Sequence, residues 1–227
     1  MILRIKNLEV DIDFSKSDFW TLEIYNPLFL REIFESFSSE DGEENRIHRL
    51  LDGENEANDR FIFVANLFEI SGAMSLFSKK MKKYLFENFK SIEDEAGFYE
   101  IASQIDNLSQ EIVQNIDFSL EYDEFSFEKF LKIANFRLRE SPKIGGAKQA
   151  IYDIMDLTSE LSQDSVICFL NLKHLLTDEE FENILKYAFS KELKLVFLES
   201  SFGRFYSKKS EKVIVVDDDL YICEKSF

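Results

Sequence analysis

Residues 91–128 carry eleven carboxylates (Glu93, Asp94, Glu95, Glu100, Asp106, Glu111, Asp117, Glu121, Asp123, Glu124 and Glu128) and not one Lys or Arg. The last five crowd a short segment. Polar Asp117, Glu121 and Asp123 alternate with Phe118, Leu120 and Tyr122, which puts these acids on one side of a strand pattern, and Glu124 and Glu128 stand one helical turn apart just beyond. Asp123 reads as the N-cap of a helix, with Glu124 in its first turn. Carboxylates this close cannot converge uncompensated. They splay into water, pair with neighbouring Lys and Arg, or bind a hard cation, for which Ca2+ is the most tolerant choice because it takes six to eight oxygen ligands. The residues leave these three outcomes open.

Positive charge is sorted to both flanks of this stretch. Before it stand Lys79, Lys80, Lys82, Lys83 and Lys90; after it come Lys129, Lys132, Arg137, Arg139, Lys143 and Lys148, opposed only by Glu140. Over residues 74–89 the apolar positions Met74, Phe77, Met81, Tyr84 and Leu85 share one helical face, which places Lys79, Lys82, Lys83 and Lys90 in a stripe opposite, with Phe86 among them. Such a stripe is either a solvated face or a phosphate-contacting one. In a chain of net charge −17 a polyanion can be held only where positive charge is locally concentrated.

Other chemistries are poorly provided for. A Ser-His-Asp, Cys-His or zinc site must use one of the two histidines, and neither has suitable company. His174 lies among leucines as a half-buried packing residue, and His48 reads as a surface residue in an acidic loop. Cys168, in an apolar run, is expected to be a buried, inert thiol. After the strand Trp20–Ile24 comes Tyr25-Asn26-Pro27-Leu28, with none of the Gly, Lys or Thr that cradle phosphates at this point of a nucleotide-binding fold. Leu195-Val196-Phe197-Leu198-Glu199 has the form of a magnesium-holding strand, and Gly145-Gly146-Ala147-Lys148 precedes a helix. Neither makes up for the missing loop, so ATP hydrolysis is not expected. Glu192-Leu193-Lys194 is an E-x-K sequence of the kind metal-dependent nucleases use.

The elements that would carry these residues form an α/β chain. Short strands are read at 3–5, 8–14 and 20–24, a helix opens at Asn26-Pro27, and residues 39–59, with eight acids, read as a solvated loop with one helical turn. A strand follows at 61–64. The helix over 74–89 and a second from about Glu93, with Phe98, Ile101, Ile105, Leu108 and Ile112 spaced three and four apart, are expected to pack as an antiparallel pair. From 148 to 216, helices and apolar strands alternate, which implies a mostly parallel sheet that the N-terminal strands can join. Thr177-Asp178-Glu179-Glu180 is a capping box. The expected organisation is an α/β head of residues 1–70 and 140–227 with an inserted, mostly helical leg of 71–139. Twenty-four Phe and eight Tyr supply a core, two cysteines suit a reducing cytoplasm, and no apolar run approaches a membrane span.

The run Leu120-Glu121-Tyr122-Asp123-Glu124 with Phe130-Leu131-Lys132, then Val166–Leu170, the Leu176–Glu180 helix start and Lys194–Glu199, resembles the Csn-two family. Its members are small accessory proteins of type II-A CRISPR-Cas loci. The likeness covers roughly residues 105–222. It implies a non-catalytic homotetrameric ring whose heads are degenerate, P-loop-like α/β domains bearing helical legs. It also implies calcium dependence, binding of double-stranded DNA ends in a basic lumen, and support of the integrase pair and the RNA-guided effector nuclease in antiviral spacer acquisition. Lys132 matches a family lysine and Arg137 a basic position after it, while Lys79, Lys82, Lys83, Arg139 and Lys143 rest on charge sorting alone. Two readings compete: a metal-dependent nuclease using the 117–128 acids, and an adaptor that binds proteins without touching DNA.

Overall fold

A computed structural model describes residues 1–39, 46–67, 70–115, 121–134, 136, 146–162, 164–200 and 211–225. The chain divides into two compact units, one of Met1–Met74 with Ser141–Phe227 and the other of Ser75–Glu140. The first is α/β and holds two sheets. In the larger, the strand order is β10-β9-β3-β8-β7-β6, where β3 is Phe19–Ile24, β6 Phe61–Val64, β7 Val166–Leu170, β8 Lys194–Ser200, β9 Lys212–Val216 and β10 Ile222–Lys225. All neighbours are parallel except β10 on β9. The central strands β3, β7 and β8 are buried almost throughout, as parallel strands covered on both faces must be; this is why Val166–Leu170 and Leu195–Leu198 are apolar runs, while β3 also buries Thr21 and Glu23.

The N-terminal strands do not all join this sheet. β1 (Ile2–Ile5) and β2 (Ile12–Asp13) leave it to form an antiparallel sheet with β4 (His48–Asp52) and β5 (Asn55–Glu56), in the order β2-β1-β4-β5. Here the structure corrects the solvated loop expected over 39–59: residues 48–51 pair with β1 from Ile5↔His48 to Ile2↔Leu51. The alternation was hidden because one inward position is a histidine. His48 is 4% exposed rather than on the surface, its Nδ1 2.8 Å from Ser36 Oγ and its ring against Phe37 and Phe61.

Helix α1 (Pro27–Ser38) begins at Asn26, whose side chain accepts from the amides of Leu28 and Phe29, with Pro27 in the first turn where a missing N–H costs nothing. Its Phe29, Ile33 and Phe37 join Trp20, Leu22, Ile24, Val196, Leu198 and the inward residues of the small sheet in one core. Helices α5 (Gly146–Leu161) and α6 (Asp178–Ser190) contribute Ile151, Ile154, Met155, Phe181, Ile184 and Leu185 to the buried interior. The capping box at Thr177 and Glu180 is present in both directions. No helix among the described residues is long and apolar enough to cross a membrane.

The second unit holds most of α2 (Ile70–Phe89), a 3-10 turn (Lys90–Asp94), α3 (Ala96–Gln114) and α4 (Phe127–Ala134). Helix α3 buries none of its residues. α4 packs on the 3-10 turn. Phe98 contacts Phe125, Phe127 and Phe130 in an aromatic cluster that joins α3 to α4.

Candidate functional site

Two places bear on function. The first is the carboxyl end of the parallel sheet, where open α/β folds hold ligands. The turn after β3 offers little to a phosphate: Pro27 has no N–H, and Asn26 Oδ1 already accepts from Leu28 and Phe29 at 3.0 Å each. Two acids face each other here across neighbouring strands, Glu23 on β3 in register with Glu199 on β8. Both are buried, at 5% and 0% exposed. Glu199 Oε1 accepts the backbone N–H of Lys173 at 3.0 Å, while Oε2 is buried without a partner. Desolvation pushes Glu199 up to about 7 against the relief of that hydrogen bond and of the Lys173 charge.

Close by, Lys173 Nζ pairs with Glu211 Oε2 at 2.8 Å with both side chains almost fully buried, and Thr21 Oγ1 donates to the same oxygen at 2.6 Å. The ammonium also sits 4.8 Å from the Phe181 ring centroid. The sequence marked Glu199 through its strand. It gave no signal for Lys173 and Glu211, which lie 38 positions apart and meet only through the fold.

The remaining sequence candidates in this unit are dispersed. Glu192 lies exposed in the turn before β8 at φ 56, and Lys194 pairs with Asp164 at 3.6 Å, but among the described residues no metal-holding group of three acids forms around them. His174 is exposed rather than half-buried, because it sits on the short 3-10 turn Lys173–Leu175 instead of an apolar face. Cys168 is fully buried, which raises its thiol well above the usual range.

The second place is the charged segment of the helical unit. Asp117, Arg137, Arg139 and Lys143 lie outside the described residues. Glu121, Asp123, Glu124 and Glu128 are all exposed. Asp123 Oδ2 faces Lys129 Nζ at 3.4 Å, and Glu128 Oε1 faces Lys132 Nζ at 2.6 Å across one helical turn. The Lys132 hydrogen bond and charge lower Glu128 below the ordinary carboxylate range. Within one chain these described acids are therefore ion-paired or splayed into water, and among the described residues no three His, Cys, Asp or Glu side chains form a metal-holding group.

Asp123 is not the helix cap. α4 starts at Phe127, where Ser126 Oγ accepts from Lys129 N at 3.3 Å and the Glu93 carboxylate accepts the Phe127 N–H. Sequence reading missed Glu93 because it reaches across 34 positions.

Lys82, Lys83 and Lys90 make no ion pair with these acids among the described residues, whereas Lys132 pairs with Glu128. On α2, Phe77 and Met81 are buried while Lys82 and Lys83 are exposed, and Lys90 is exposed at the start of the following 3-10 turn. Lys83 makes only a 3.9 Å contact with Glu87, and Lys90 Nζ lies 5.5 Å from the Phe86 ring centroid. Lys79 lies on α2, its side chain outside the described atoms. Lys132 is exposed on α4. The arrangement leaves cations on solvent-facing helical positions where a phosphate can replace a weak intrachain carboxylate.

Comparison with known proteins bears on this geometry. The family described as CRISPR-associated protein (Cas_Csn2) matches over residues 62–220, which span both units. Among solved structures, the crystal structure of Stu0660 of Streptococcus thermophilus superposes with a TM-score of 0.55 at 10% identity, covering 96% of this chain and 75% of that one. It shows the shared α/β fold. No curated protein sequence matches the chain. With more than half its length matched by that one family, the chain belongs to the CRISPR-associated Csn-two family.

Proposed function

We propose that the protein is a non-catalytic, self-assembling ring that binds the ends of double-stranded DNA and supports spacer acquisition in CRISPR immunity. The observation that carries the reading is charge sorting within a CRISPR-associated chain: Lys82, Lys83, Lys90 and Lys132 stand on exposed helical positions of a protein whose net charge is −17. Lysines so placed neutralise phosphates without reading bases. Self-assembly, as a homotetramer, is supported by α3, which exposes Ile101, Leu108 and Ile112 at 54%, 61% and 56%. Partners in this reading are the integrase pair and the RNA-guided effector nuclease.

Calcium belongs to the same reading, but the described acids of one chain do not form its site. A cation would have to draw on Asp117, on a second subunit, or on Asp123 and Glu128 released from their lysines. Chelation is expected to lower the melting temperature and the assembly mass. Identical melting curves with calcium and with chelator remove the calcium requirement.

DNA binding is tested by gel shift of linear and closed circular duplex. The expected result is sequence-independent binding of linear DNA that falls steeply with salt and is lost in Lys132→Glu/Arg137→Glu with the oligomer intact. Equal binding of circles, or a double variant that binds normally, overturns the ring reading. Cleavage of linear DNA with magnesium or manganese returns the function to a nuclease.

A further inference from the structure

The hairpin joining β9 to β10 carries an unusual residue. Asp217 N–H donates to Tyr221 O at 3.1 Å and Leu220 N–H to Asp217 O at 3.1 Å, closing a three-residue loop of Asp218, Asp219 and Leu220. The third residue of such a loop adopts the left-handed conformation, which Gly enters freely. Here it is Leu220, at φ 65. A leucine held there is strained, because its Cβ crowds the following carbonyl oxygen, and its side chain is 39% exposed rather than buried in compensation. The next residue, Tyr221, is 72% exposed.

This loop is fixed against the start of α1. Tyr25 N–H donates to Val216 O at 2.8 Å and Asn26 Nδ2 to Asp218 O at 2.7 Å. Tyr25 and Leu28, on the other side of that joint, are 40% and 61% exposed. Four exposed large side chains thus lie on two segments that these bonds tie together at the carboxyl end of the sheet, where the phosphate-binding residues are missing. The charge there is acidic. Asp217 Oδ1 is engaged by the Asp219 and Tyr221 amides, whereas the exposed side chains of Asp218 and Asp219 have no partner among the described residues.

We propose that this surface, formed by Tyr25, Leu28, Leu220 and Tyr221 and rimmed by Asp218 and Asp219, docks a basic protein segment bearing apolar side chains. Aromatic and aliphatic anchors beside unpaired charge are what a specific protein interface needs. The two carboxylates repel duplex phosphates and complement Lys or Arg. A second copy of the chain, at net charge −17, is the poorer electrostatic match. The proposal rests on the protein partners of that reading but uses none of the lysines invoked for DNA, so loss of docking and loss of DNA binding are read separately.

The test titrates the full chain with the integrase proteins and with the effector nuclease of its own locus, each freed of nucleic acid. Wild type is compared with Leu220→Gly, Tyr221→Ser and Asp218→Lys/Asp219→Lys. Binding to at least one of these proteins is expected to weaken tenfold or more in each variant, with linear-DNA affinity within twofold of wild type. Leu220→Gly relieves the backbone and is expected to melt no lower than wild type, which separates lost docking from lost folding. The proposal is overturned if wild type binds none of these proteins or if all variants bind within threefold of it. It also fails if the variants lower the oligomer mass, which assigns the surface to contacts between copies, or if DNA affinity falls in parallel.

Discussion

Helices α6 and α3 have the same kind of sequence and opposite fates. In α6, Phe181, Ile184, Leu185 and Ala188 recur at helical spacing and all four are buried. In α3, Phe98, Ile101, Ile105, Leu108 and Ile112 recur just as regularly, yet no residue of the helix is buried and its N-cap, Glu95, makes no side-chain cap bond. Periodicity states that a helix has an apolar face; it does not state whose surface covers it. An isolated helix of this length is marginal in water. α6 is stabilised within the chain, whereas α3 exposes a face that a neighbouring molecule can cover, which is the physical basis for expecting assembly.

The largest expected effect tests this contrast directly. Phe197 is fully buried, stacked 6.3 Å from Phe169 and edge-on 5.0 Å from Phe181. Phe197→Ala should cost about 3–5 kcal/mol in urea unfolding, at any protein concentration. Leu108→Ser/Ile112→Ser on α3 should change the stability of dilute protein by less than about 1 kcal/mol, while lowering the mass seen by light scattering. A double variant of unchanged mass, or one that unfolds dilute protein, breaks the comparison.

Next in size are two buried titratable groups of the α/β unit whose effects oppose each other. Burial, aided by the Arg46 charge, lowers His48 to about 4 from an ordinary 6.5. The unfolded chain then binds the proton more tightly, so this group adds stability as pH rises from about 4 to about 6.5. Glu199 is raised from 4.5 to about 7. Here the folded state holds the proton more tightly, and stability falls as pH rises through that interval. Each shift corresponds to something on the order of 3 kcal/mol, so the two slopes offset one another between about 4.5 and 6.5. Glu199→Gln should uncover the His48 slope as a melting temperature that climbs steadily from pH 4.5 to 6.5. His48→Gln should uncover the descending one. Both profiles should be independent of protein concentration, as befits groups sealed within one chain. A Glu199→Gln profile parallel to wild type removes Glu199 from the account.

Much of the α/β fold was legible because its strands are buried on both faces and its helices start at strong caps. Asn26-Pro27 and Thr177–Glu180 mark helix starts that the structure reproduces. The failures share a cause. β4 looks like loop in the sequence because His48 occupies a core position, and α4 starts later than its acids suggest because its cap comes partly from Glu93, far away in sequence. The lysine face of α2 was legible, since Lys82 and Lys83 are exposed opposite buried Phe77 and Met81. The acidic cluster was legible as charge but not as a site, because where carboxylates point depends on the cations that the fold brings near: Lys129 to Asp123 and Lys132 to Glu128.

The smallest effect concerns how the helical unit holds itself together with so little core. α4 buries only Phe127 and Leu131, and its first turn is tied by the Glu93 carboxylate at the Phe127 amide and by Ser126 Oγ at the Lys129 amide. Replacing an N-cap by Ala costs about 1 kcal/mol, and a half-buried charged acceptor such as Glu93 gains little more. Glu93→Gln and Ser126→Ala should therefore each loosen α4 by about 1 kcal/mol or less, too little to register in global unfolding of the α/β unit. The loss should appear as faster amide exchange confined to residues 127–134, because local opening is governed by the weakest ties of a segment. Calcium, if it draws on Asp123 and Glu128 beside this cap, should slow that exchange in wild type and restore part of it in Ser126→Ala. Exchange in α4 that ignores both substitutions would mean that its aromatic contacts with Phe98, not its polar cap, set the stability of the segment.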